Sequence, residues 1–101
     1  MSGSIYTPVT SRAQIYDTTV AAGGTTQLLI PSAPLNGWSV YNPSATDWLW
    51  LASMQNFTPN AAGTIGVAPL GGYETPPNYK PLGQIWVLGA TTGQPITARG
   101  W

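Results

Sequence analysis

The chain has 101 residues, enough for one domain and too few for two cores. Only 6% of its residues are charged, against about 25% in an ordinary soluble domain. Arg12, Lys80 and Arg99 balance Asp17, Asp47 and Glu74, so no basic stripe exists to hold a phosphate backbone, and nucleic acid is not an expected partner.

A surface with so little charge has weak self-repulsion and no long-range steering, which suits a subunit packed into an assembly. No apolar run approaches the length of a membrane span, so no membrane partner is expected. The start, Met1 to Pro8, has neither the basic residues nor the apolar run of a secretion signal; synthesis and assembly in a cytoplasm are expected.

Ten prolines and twelve glycines break the chain at short intervals and exclude long helices. Residues 1–12 read as a flexible or partner-contacting arm and residues 13–101 as the folded domain. Ala13 to Val20 reads as a first strand, with Ile15 and Val20 as core positions. After a turn at Ala21 to Gly24 comes a second strand, Thr25 to Ile30, stopped by Pro31. Gly37 to Tyr41 is the third, ended by the turn-forming Asn42-Pro43. Asp47 to Met54 is the fourth, with Trp48 and Trp50 on one face and Leu49 and Leu51 on the other.

Thr64 to Ala68 reads as a fifth strand, Gln84 to Leu88 as a sixth and Gln94 to Arg99 as a seventh. Leu70 to Gly83, with Gly71-Gly72 and Pro76-Pro77, reads as the longest irregular stretch. About seven short strands with turn signals between them predict an all-β fold, a single antiparallel β-sandwich of jelly-roll-like type.

The chain contains no histidine and no cysteine. That removes imidazole-assisted nucleophiles, thiolate chemistry and the usual zinc ligands, so neither a metal nor a cofactor is expected. Asp47 and Glu74 are the one carboxylate pair available for acid–base work. Asp47 reads more simply as the opening of a strand and Glu74 as a solvated loop residue. No enzyme is predicted.

Five tryptophans and five tyrosines against one phenylalanine form a polar-tipped aromatic set suited to contact surfaces. Trp38, Trp48, Trp50 and Trp86 fall on predicted strands, where a core role is the simplest reading. Trp48 and Trp50 become an exposed strip if Leu49 and Leu51 supply the core. Trp101, the last residue, either caps the sandwich or anchors a neighbour. The contact candidates are Trp48, Trp50, Tyr73, Tyr79 and Trp101.

Three segments carry a resemblance: Asn42 to Ser44, Pro69 to Pro76, and Ile85 to Ala98. Together they resemble small accessory virion proteins of tailed bacteriophages, of the head-decoration or cement type. Those proteins share an N-x-S turn, a P-G-G-x-Y-E-x-P loop and a hairpin of the form I-x-V-x-G-x-T-x-G-x-x-x-T-A. Leu70 stands here where the first loop glycine is usual, and residues 1–30 match no part of the pattern.

The resemblance implies a virion structural protein that binds the major capsid protein, or another virion protein, and reinforces the particle as a homo-oligomer. A tail, neck or head-fibre component is an alternative, as is a carbohydrate-binding module that uses Trp48 and Trp50 for stacking. Ser2 to Thr10 is the expected strand donor to a neighbour.

Overall fold

A computed structural model describes residues 14–32, 36–76 and 83–101. Among the described residues nine strand segments follow in order: β1 (Gln14–Ile15), β2 (Thr18–Thr19), β3 (Gln27–Ile30), β4 (Trp38–Tyr41), β5 (Leu49–Ala52), β6 (Ile65–Val67), β7 (Gly72–Glu74), β8 (Ile85–Gly89) and β9 (Pro95–Gly100). They form an all-β sandwich of two antiparallel sheets. One is ordered β1–β9–β4–β7, with β2 also on β9; the other is ordered β3–β8–β5–β6. Tyr79, Lys80 and the amino-terminal arm lie outside the described residues.

The pairings are nested. β5 pairs with β6, β4 with β7, β3 with β8, and β1 and β2 with β9, all antiparallel. The chain is thus a long two-stranded ribbon doubled back between β5 and β6. Two further pairings, β4 with β9 and β5 with β8, are made across the ribbon and close each sheet.

Inward residues alternate along the strands, as a pleated sheet requires. Leu49 and Leu51 of β5, Val87 of β8, and Val40, Ile96 and Ala98 from the opposite sheet are all fully buried in one core. A register shift in β3 between Leu28 and Ile30 turns both Leu29 and Ile30 inward. Trp38 also lies in this core, and Tyr73 packs on it with its ring 5.4 Å from that of Trp38.

Three expectations are corrected. The first strand is broken at Tyr16–Asp17, and Ile15 is 68% exposed, not core. A continuous strand cannot send both Ile15 and Val20 to one face, because they are an odd number of residues apart. It is Tyr16 that packs against the core to which Val20 belongs. At the break the Asp17 carboxylate takes the place of a backbone carbonyl and accepts from the Ala98 N–H at 2.9 Å.

Secondly, Glu74 lies on a strand: β7 falls inside the stretch read as irregular. Its pairing with β4 is fixed by register, Tyr73 opposite Val40, and not by local propensity. Thirdly, Ile85 to Ala98 is not a hairpin. β8 and β9 belong to different sheets, and the residues between them arch across the end of the sandwich. There the Gly93 N–H donates to the Val20 carbonyl at 2.7 Å.

Candidate functional site: an indole pair on the outer sheet

Leu49 and Leu51 do take the core, and the outward positions of β5 therefore carry Trp50 and Ala52, with Trp48 just before the strand. The Trp48 and Trp50 rings stack, with centroids 5.3 Å apart and planes within 13°. Trp48 is 47% exposed and Trp50 half-buried.

Gly66 on β6 lies directly opposite Trp50. A methyl group there would stand 2.7 Å from Cζ3 of Trp50 and 3.2 Å from Cζ3 of Trp48. The bare backbone at Gly66 is thus the floor on which both indoles lie. On the other side Trp50 faces Leu88 of β8. Ala52, Phe57 and Leu88 form a small second core beneath, with Trp50 and Trp86 packed over it. The Trp86 indole N–H donates to Gln84 Oε1 at 3.3 Å.

Two buried amides hold the backbone that delivers Trp48. Asn42, wholly buried, donates from Nδ2 to the carbonyls of Asp47 (2.7 Å) and Val67 (3.1 Å), and its Oδ1 accepts from the Ser44 N–H. Gln94, reaching over from the end of the β8–β9 arch, donates from Nε2 to the carbonyls of Asp47 (3.3 Å) and Trp48 (3.2 Å). Its Oε1 is buried without a partner among the described residues. Ser44 Oγ accepts from the Asp47 N–H, so the segment from Asn42 to Asp47 is a closed turn.

Leu70 then links the second quoted segment to the first: its N–H donates to the carbonyls of both Asn42 and Ser44, and Asn42 N–H donates back to Gly71. Leu70 makes this contact with φ at +61°, the region where glycine carries no Cβ penalty.

Of the five contact candidates, Trp48 and Trp50 are brought together. Tyr73 lies on the opposite sheet with its ring against the core, and Tyr79 lies outside the described residues. Trp101 extends the β4–β9 ladder by one step, exchanging backbone hydrogen bonds with Gly37, over which its half-buried indole packs. It caps the sandwich.

Of the four tryptophans on predicted strands, only Trp38 is core. Trp86 joins the outer face. From the sequence Gly66 reads as a turn or bulge residue and Gln94 as the opening of a strand; the parts they play here depend on register. Asn42 was read as a turn residue, and its buried side-chain bonds went unseen.

No protein-family model, curated protein or solved structure matches the chain.

Proposed function

We propose that this protein is a non-catalytic structural component of a tailed-phage particle, a decoration or cement subunit that docks on the major capsid protein. The observation that carries the docking reading is the outer face of the β3–β8–β5–β6 sheet, whose described strands hold no charged residue. There a preformed pair of indoles stands on a glycine floor and is braced by two buried amides.

Large, rigid aromatic groups of this kind supply contact area at small entropic loss and are typical binding anchors. The neighbours that the strand register gives Trp50 are Gly66 and Leu88. They are apolar and suit a protein surface better than a hydroxylated ligand.

Two further observations support the virion reading. The nested pairings are compatible with a jelly roll, an architecture used by capsid and lectin domains among others. Fold alone does not define function. In addition, two of the segments that carry the phage resemblance, Asn42 to Ser44 and Pro69 to Pro76, are hydrogen-bonded to each other. The chain's low charge fits a subunit held at many equivalent positions, where weak contacts add.

The test is co-sedimentation with undecorated phage capsids. Saturation at a fixed ratio to the capsid subunit, lost in Trp48→Ala while the fold is retained, supports the proposal. A soluble protein that leaves capsids unbound overturns it and moves the search to tail, neck or head-fibre partners.

A further inference from the structure

The opposite sheet has a different outward chemistry. Along β4 the buried Trp38 and Val40 alternate with Ser39 and Tyr41, which face out; along β7 the inward Tyr73 alternates with the exposed Gly72 and Glu74. Register sets Tyr41 opposite Gly72 and Ser39 opposite Glu74. An open hollow of about 320 Å3 lies here, lined by Ser39, Val40, Tyr41, Gly72, Tyr73 and Glu74.

Its shape follows from one residue. Gly72 leaves the position beside Tyr41 bare, so the Tyr41 ring, 43% exposed, forms a wall with open floor next to it. Glu74, one strand over from Ser39, places a carboxylate at the far end.

We infer that this hollow is a binding site for a neutral saccharide ring, with Tyr41 as the stacking wall and Glu74 and Ser39 as the hydroxyl-reading groups. A pyranose has an apolar C–H face and a rim of hydroxyls. The aromatic face of Tyr41 matches the first. The Glu74 carboxylate accepts from two hydroxyls at once, and the Ser39 hydroxyl both donates and accepts.

The lining contains no cation, which disfavours phosphates and acidic sugars. Among the described residues the one cation, Arg99, lies across β4 from Glu74 and is already engaged by Asp17. The hollow's volume falls at the lower end of small-ligand sites. The indole pair on the other sheet lacks this combination, because its strand neighbours offer no polar side chain to read hydroxyls. The inference does not rest on the docking proposal, and a protein that ignores capsids tests it equally well.

The experiment is an amide-resolved NMR titration of the full chain with cellohexaose, maltohexaose and chitohexaose, with hexalysine as a cationic comparison. At least one sugar is expected to shift the amides of Ser39, Tyr41, Gly72 and Glu74 saturably. Tyr41→Ala and Glu74→Gln should each weaken that binding about tenfold, with the melting temperature held, and Trp48→Ala should leave it unchanged.

Gly72→Ala is the second arm. A Cβ there meets nothing closer than 3.4 Å, so the variant folds while its methyl narrows the hollow and weakens binding. The inference is overturned if none of the three sugars shifts these amides at millimolar concentration. It is equally overturned if the shifts centre on Trp48 and Trp50, or if hexalysine binds more tightly than every sugar.

Discussion

The outer face of the β3–β8–β5–β6 sheet carries Trp50 and Trp86, with Trp48 beside them, and its strands hold no charged residue. The outer face of the other sheet carries Glu74 on β7, Arg99 on β9 and, at the β1–β2 break, Asp17. Inward, the two sheets share one apolar core; outward, they differ in kind. Each face also sets an exposed glycine opposite an aromatic ring, Gly66 opposite Trp50 and Gly72 opposite Tyr41. At Gly66 the ring fills the space the glycine leaves, and at Gly72 the space stays open. The same residue type therefore makes a contact platform on one side and a hollow on the other.

The largest effect expected on this contrast comes from Asn42. Asn42→Ala strips partners from the buried Val67 carbonyl and the Ser44 N–H, and leaves the Asp47 carbonyl to Gln94 alone. Losing these buried bonds should cost about 3 kcal/mol in urea denaturation. It should also weaken the circular-dichroism couplet of the stacked indoles more than any change at Tyr41. A loss below about 1 kcal/mol would mean that water replaces the amide and that Asn42 does not brace the platform.

Next in size is the paired substitution of the two glycines. Gly66→Ala places a methyl against the far end of the Trp50 ring, which must swing away. We expect a loss of about 1 kcal/mol and collapse of the indole couplet. Gly72→Ala meets only ordinary contacts and should be neutral or stabilising by about 0.5 kcal/mol. Equal responses at the two sites would erase the proposed distinction between a filled and an open floor.

How much of this contrast was legible beforehand depended on whether it was local. Trp48 and Trp50 two apart, with Leu49 and Leu51 between them, announce an aromatic strip within one strand. The segments around β3 to β6, β8 and β9 were legible because runs rich in Val, Ile, Leu and Trp end at Gly, Pro or Asn. β7 was not: Gly-Tyr-Glu between a Gly-Gly and a Pro-Pro pair has little strand propensity of its own, and Tyr73 packing near Trp38 places it. The hollow and the glycine floor arise from register between segments far apart in sequence, which no single window contains. The Ile85 to Ala98 arch was misread for a similar reason, since a turn flanked by two strands does not reveal whether they pair or part.

A smaller, pH-dependent effect belongs to the charged face. The Ala98 N–H, and then the Arg99 guanidinium, hold the Asp17 carboxyl below its ordinary range against the opposing effect of desolvation. A carboxyl lowered on folding stabilises the protein above its ordinary pKa, and that contribution is lost as pH falls through the lowered value. The melting temperature of the wild type should therefore fall more steeply than that of Asp17→Asn on acidification below the usual carboxylate range. Parallel curves would show that Asp17 does not clasp β9.

The smallest expected change lies at the turn where the chain passes from the indole-bearing sheet to the sheet that carries the hollow. Leu70 occupies it at φ +61° and is 58% exposed, so it gives up backbone ease without gaining much burial. Leu70→Gly relieves about 1 kcal/mol of left-handed strain. It also loosens the unfolded chain, which offsets roughly half or more of that gain. The net expectation is a stabilisation of up to about 0.5 kcal/mol, read as a higher urea midpoint at unchanged slope.

Leu70→Ala is the control, because alanine keeps the Cβ and with it the strain. If alanine stabilises as much as glycine, the benefit comes from removing an exposed leucine and not from φ. If glycine alone does, the bonds from Leu70 N–H to Asn42 and Ser44 are what hold this residue in the left-handed region. The turn joining the two faces would then be set by the same Asn42 that braces the indoles.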